Sequence, residues 1–161
     1  SLRVLNQKIR DRELVKLYLC VVQGELPKRA DTLTAYLEKL SDENRVIVSD
    51  RKTPQNRTIL TKYRVLETRA LTLVECRLIT GRTHQIRAQF RHAGCPLLGD
   101  GKYGSNKLNK ALGYDVQALY SYKLRFEFTT PAGCLEYLNH REFSVADMNS
   151  IWFVKKFHGS D

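Results

Sequence analysis

The stretch LTLVECRLITGRTHQIRAQFRHAGCPLLGDGKYG, residues 71–104, decides how this chain is read. It predicts four elements in immediate succession: an amphipathic strand over 71–79, a tight Thr80-Gly81 turn, a basic-faced helix over 84–93, and a Gly-Asp loop over 99–104. At about 100° per residue, Ile86, Phe90 and Ala93 fall on one side of the helix, and His84, Arg87 and Arg91 fall on the other. Thr83 is the expected N-cap and Gly94 the expected residue just past the C-terminal end. One face packs and the other meets a partner.

The partner suggested by these residues is a polyanion. Gly81 lets the backbone make a tight approach, the helix N-terminus offers free N–H groups to a phosphate, and Arg82 stands beside that opening. Residues 77–110 hold seven Lys or Arg residues against Asp100 alone, so this segment carries +6 of the chain's formal +10. A surface helix with solvated arginines is the alternative for an arbitrary helix, and the convergence of three anion-favouring features argues against it here. In the loop, Asp100 serves either the turn, by accepting backbone amides, or a substrate, with Lys102 and Tyr103 supplying phosphate and stacking groups. His84 has no nucleophile partner in the sequence, since Cys95 lies beyond the helix and nothing in its spacing marks activation.

Outward from this block, 161 residues suit one domain that buries about 70% of its unfolded surface. Cys20, Cys76, Cys95 and Cys134 form no CxxC pair and follow no secretory leader, so neither disulfides nor a zinc site is expected, and a reduced, cytoplasmic protein is. No apolar run approaches the roughly 20 residues that a bilayer-spanning helix needs, so no membrane role is expected.

Toward the N-terminus, Leu2, Leu5 and Ile9 have helical spacing. Strands are predicted over 16–22, 32–40, 45–49 and 58–67, the last joined to 71–79 by a connection of hairpin length. Toward the C-terminus, strands are predicted over 118–129 and 135–138, and a helix over 147–157. Strands outnumber helices and adjoin one another, which predicts an α+β domain with a mixed, mostly antiparallel sheet and a few helices.

The TGRTHQIR run (80–87) followed by GDGKYG (99–104) resembles the third signature block of the RluA-type RNA pseudouridine synthases, TGRxHQIRxH and then GDxxYG. KLYLCVVQGEL (16–26) is similar to the family's K-x-Y strand. ALYSYKLRFEFTTPAG (118–133) is similar to its late strand, with Gln117 and Phe128 where His is usual. The resemblance implies part of a pseudouridine synthase catalytic domain, isomerising uridine to pseudouridine in structured ribosomal or transfer RNA without cofactor or metal.

The family's acid-nucleophile is an aspartate in an upstream RLDxxTSG-like motif, which this sequence lacks; residues 1–14 resemble the helix just downstream of it. The expectation is therefore a single partial domain over 1–161 whose missing N-terminal part carries the nucleophile, and which is inactive alone. By the same resemblance Tyr18 stacks on the flipped uracil and Arg87 pairs with the missing aspartate. Arg82, Thr83, His84 and Gln85 would hold the RNA backbone or flipped nucleotide, Lys16, Arg91 and Lys102 would add phosphate contacts, and Asp100 and Tyr103 would complete the RNA-facing loop. A noncatalytic RNA-binding module is the competing reading. A DNA-reading helix is disfavoured, because no helix-turn-helix neighbour precedes 84–93.

Overall fold

The nearly continuous apolar run LVKLYLCVVQ forms a strand, β1 (Leu14–Gln23), whose residues fall alternately on two faces of a sheet. The computed structural model describes residues 1–159. β1 is joined by β2 (Ala30–Leu40), β3 (Arg45–Ser49), β4 (Arg57–Thr68), β5 (Leu71–Leu78), β6 (Leu119–Phe126) and β7 (Glu142–Ser144). They form one seven-stranded sheet in the order β3-β2-β4-β5-β1-β6-β7. Every pairing is antiparallel, and Tyr18 stands opposite Cys76 and Leu17 opposite Arg77.

Both faces are covered over the downstream half of β1, where Leu19, Cys20, Val21 and Val22 have no exposed surface. On the front face, Ile86 and Phe90 of α2 (Gln85–His92) pack against Cys20, Val22, Tyr63, Val74 and Cys76. Also in front, Val4 and Leu5 of α1 (Leu2–Arg10) sit on Leu14, Phe126, Phe128 and Leu135. On the back face, Leu19, Val21 and Leu73 meet Phe153, Val154 and Phe157 of α4 (Trp152–Phe157), with Leu108 of α3 (Asn106–Leu112) at the margin. Phe90 and Phe153 are fully buried, each worth about 1.5–3 kcal/mol in water-excluded surface.

A buried ion pair fixes where α1 ends. Lys8 Nζ lies 2.7 Å from Glu13 Oε2, and the two side chains are 2% and 3% exposed. Lys8 Nζ also donates to the Thr130 carbonyl at 2.5 Å, and both Thr129 and Thr130 hydroxyls donate to Glu13 Oε1. The chain leaves α1 through Arg12, whose φ of 58° is left-handed.

The expected α+β class holds, with three local differences. Residues 135–138 are not a strand but part of a 3-10 turn, Gly133–Leu138. The C-terminal helix begins at Trp152, because the Asp147 side chain accepts from Asn149 N and closes a separate 3-10 turn, Met148–Ser150. α3 and β7 were not foreseen. Among the described residues no helix is long and apolar enough to cross a membrane.

Candidate functional site

Between the end of α1 and the turn that follows β5, a cleft of about 510 Å³ opens at one end of the sheet. Arg10 and Arg12 line it from the α1 side, Lys16 from β1, Arg77 from β5, and Gly81 and Arg82 from the turn. No Asp or Glu is among its lining residues. Five cations in one concavity focus a positive potential that favours a polyanion. Tyr18 follows Lys16 by two positions, so it shares that face of β1; it is half-buried and packs against the front core. Gly81 needs no left-handed backbone, and a Cβ built there meets nothing within 4 Å. The close backbone approach expected at Gly81 is not made within this chain.

The turn is held by glutamine. Gln85 is 2% exposed, and its Oε1 accepts from the Thr80 hydroxyl at 2.7 Å and from Arg82 N at 3.0 Å. Its Nε2 donates to the Leu60 carbonyl and to Thr61 Oγ1. Thr61 in turn donates to Gln89 Oε1, and Gln89 Nε2 donates to the Leu33 carbonyl. Two buried amides thus tie α2 to β2 and β4, with their polar atoms satisfied as burial requires.

The loop after α2 organises the helix's other face. Arg87 donates Nε to Asp100 Oδ2 at 2.8 Å and Nη2 to Oδ1 at 2.9 Å. Asp100 also accepts the Lys102 and Tyr103 amides. Burial works against ionising Asp100, but the Arg87 guanidinium and those two amides outweigh it and hold the carboxyl below its usual range. Arg87 is raised further still, chiefly by its bond to Asp100. The Arg87 guanidinium also sits 5.2 Å from the Tyr103 ring centre.

Tyr103 is 4% exposed, and its hydroxyl accepts from Val46 N at 3.0 Å and lies 2.9 Å from His84 Nδ1. The hydroxyl and His84 Nδ1 share one hydrogen bond, whose donor is set by the imidazole tautomer. Burial, then the nearby Arg87 and Lys102 charges, push the His84 imidazolium below its ordinary pKa. His84 itself holds a left-handed φ of 53° at the start of α2.

A match to the RNA pseudouridylate synthase family covers residues 1–92, more than half of the chain. The chain belongs to this family. It is 34% identical over 138 residues to the ribosomal large subunit pseudouridine synthase C of Salmonella typhi, a match spanning 81% of this chain and 42% of that protein. It is 33% identical to the Haemophilus influenzae protein of the same name, over 79% of this chain and 40% of that protein. The chain therefore spans about two fifths of the length of these curated relatives. Its fold is similar to human RNA Pseudouridylate Synthase Domain Containing 1, with a TM-score of 0.72 at 22% identity, covering 92% of this chain and 62% of that one. It is also similar to human RNA Pseudouridylate Synthase Domain Containing 4, with a TM-score of 0.70 at 22% identity, covering 97% and 66%.

Within this family member, Lys16 and Arg82 line the cleft as a group, with Tyr18 on the adjoining strand face. Thr83 is exposed but does not cap α2; the residue at the N-cap is His84, and no side chain caps the helix. Ala93 is exposed rather than packed, and Gly94, with φ 85°, does take the left-handed position past the helix. Gln85, Asp100 and Tyr103 are interior residues, not surface contacts, because their polar atoms are engaged within the fold. Arg87 has a partner inside this chain, Asp100. Arg91 Nη1 donates to the Tyr103 carbonyl, and Lys102 Nζ donates to the Asn44 carbonyl at 2.6 Å. Arg10, Arg12 and Arg77 line the cleft although sequence reasoning gave them no role there. Arg77 betrays itself as a cation within an otherwise apolar strand end, and Arg10 and Arg12 as charges just ahead of the K-x-Y strand. Among the described residues no cluster of three or more His, Cys, Asp or Glu side chains is arranged to hold a metal ion.

Proposed function

We propose that residues 1–161 form the RNA-holding, uracil-facing part of a pseudouridine synthase catalytic domain, whose aspartate nucleophile comes from an upstream segment of the same polypeptide. The observation that carries this reading is the cleft: five cations, no carboxylate, and Tyr18 on the adjoining strand face. A flipped uridine stacks its base on Tyr18 while flanking phosphates meet Arg10, Arg12, Lys16 and Arg82, contacts that position RNA without reading its sequence. His84 and Thr83 at the cleft side of α2 and Arg91 further along it extend this RNA-facing surface, and Lys102 adds charge behind it.

The reaction needs no cofactor. The N1–C1′ bond breaks, a C5–C1′ bond forms, the C5 hydrogen leaves to solvent and N1 gains a proton. Asp100 occupies Nε and Nη2 of Arg87. Its Nη1 hydrogens remain for the incoming aspartate, which a neighbouring guanidinium keeps ionised. The names of the bacterial relatives favour ribosomal RNA as substrate, with structured transfer RNA the other candidate. Four free thiols support a reducing, cytoplasmic setting.

The test is Arg87→Lys in the polypeptide that includes the upstream segment, with pseudouridine quantified by nucleoside chromatography. A lysine keeps the charge but loses the fork. The expected result is a fall in kcat of about 10²-fold with RNA affinity nearly unchanged. Wild-type kcat in that variant contradicts the assignment.

A further inference from the structure

A second depression, about 230 Å³, lies at the same end of the sheet and is lined by Leu17, Lys62, Arg64, Glu75, Arg77 and Arg125 among others. Its position is set by strand register. Lys62 stands opposite Arg77 across β4 and β5, Arg77 opposite Leu17, and Leu17 opposite Lys123 on β6. By alternation this row belongs to the back face, with Leu19 and Leu73. Directly opposed like charges on neighbouring antiparallel strands repel, and among the described residues neither the Lys62 nor the Arg77 side chain makes a hydrogen bond or ion pair. Carboxylates on this face are already committed: Glu75 to Arg64 and the Tyr122 hydroxyl, Glu142 to Lys123, and Glu127 to Arg125. Arg125 Nε is buried without an acceptor. An opposed unpaired cation couple and an unsatisfied guanidinium nitrogen border the same hollow.

Arg77 lines both this hollow and the front cleft. We infer that the back-face hollow formed by Lys62, Arg77 and Arg125 is a second RNA phosphate site, where the strand held in the front cleft continues around the end of the sheet. A phosphodiester supplies a diffuse negative charge for Lys62 and Arg77, beside the Arg125 guanidinium. The inference rests on the reading that this chain binds RNA, and it adds a face of the molecule to that reading.

The test is binding of a fluorescently labelled hairpin RNA with a single-stranded flank to this chain, measured by anisotropy across a salt series. Three double variants are compared with the wild type: Lys62→Gln/Arg125→Gln in the hollow, Lys16→Gln/Arg82→Gln in the cleft, and Lys107→Gln/Lys110→Gln on α3. Each lost phosphate contact lowers the slope of log affinity against log salt by about 0.7 for a single strand. The hollow variant is expected to lose about tenfold in affinity and about 1 in slope, while the α3 variant, with the same charge change, stays near the wild type. A hollow variant indistinguishable from the α3 variant, with the cleft variant still impaired, overturns the second site, leaves the cleft reading intact, and points to a polypeptide carboxylate as the occupant. No RNA binding by the wild-type chain overturns both. Circular dichroism melts of the three variants separate a binding loss from unfolding.

Discussion

Asp100 grips Arg87 through two parallel hydrogen bonds, at 2.8 and 2.9 Å, from a side chain with no exposed surface. The pair links the loop after α2 to the outer face of the helix, so the orientation of Arg87 is settled before any ligand arrives. Preset donors of this kind cost no reorganisation when charge develops nearby.

Asp100→Ala should therefore destabilise the fold by about 3–5 kcal/mol, the range for removing one partner of a buried ion pair. The Lys102 and Tyr103 amides lose their acceptor in the same change. Urea titration of the variant beside the wild type measures the difference, and a loss within about 0.5 kcal/mol would show that Arg87 needs no such anchor.

Acid should unfold the chain through the two buried carboxylates among the three that the fold holds below their ordinary range, the third being the more exposed Glu67. Hydrogen bonding and charge from Lys8 bring Glu13 down from 4.5 to about 2, and Asp100 is lowered as well. A depressed folded pKa means that the unfolded state binds the proton more tightly. The stabilisation is thus complete above the unfolded value and lost as pH falls through the folded one. Urea midpoints should drop between about pH 4.5 and pH 2. Glu13→Gln should start from a lower midpoint at pH 7, because Lys8 is left buried and unpaired, and show a shallower fall. An equally steep fall in that variant places the acid sensitivity elsewhere.

Gln85 and Thr83 should separate cleanly. Gln85→Ala removes the acceptor of the Thr80 hydroxyl and the Arg82 amide, and one donor each from the Leu60 carbonyl and Thr61 Oγ1, which keep their other partners, so a loss of about 2 kcal/mol or more is expected. Thr83→Ala removes an exposed side chain that caps nothing, so the change stays within about 0.5 kcal/mol. Thermal melts of the two variants decide it, and a larger loss at Thr83 would restore that residue as the N-cap.

β1 was legible as a short continuous apolar run closed by Gly24 and Pro27, because both of its faces are covered: Leu19 and Val21 serve one face, and Cys20 and Val22 the other. Ile86 and Phe90 announced the packed side of α2 by their spacing. Gln85 and Gln89 escaped, because an amide reads as surface until a threonine and two carbonyls are brought to it from other strands. His84 escaped as the helix start because Thr83 is the better capping residue by type, and its left-handed φ and its contact with Tyr103 carry no local sequence signal. α3 was missed because seven mostly polar residues carry no periodic signal, although Ser105, which accepts from Leu108 N, and Gly113, with φ 72°, mark its two ends. The family resemblance rested on short runs that the sequence displays openly. Arg10, Arg12 and Arg77 did not show as partners of Arg82, because the four meet only where the end of α1, β5 and the turn after it come together.

Two glycines should respond oppositely to alanine. At Gly99 a Cβ would lie 1.8 Å from the Val116 carbonyl oxygen, on a φ of 75°, so Gly99→Ala should cost about 1–3 kcal/mol or more. At Gly81 the space is open and the backbone ordinary. Gly81→Ala should keep the wild-type melting temperature yet weaken RNA binding by narrowing the cleft mouth. Unchanged RNA affinity in Gly81→Ala would mean that RNA does not pass close to the turn.

The central claim, that this chain holds the RNA while its nucleophile lies upstream, is tested most directly by tritium release from RNA labelled at uridine C5, because forming the new carbon bond expels that hydrogen. The chain alone and the polypeptide that includes the upstream segment are assayed in parallel. Release by the longer polypeptide and none by the chain is the predicted result. Release by the chain alone would contradict the account and require a nucleophile among its own carboxylates, and silence in both would favour a noncatalytic RNA-binding role.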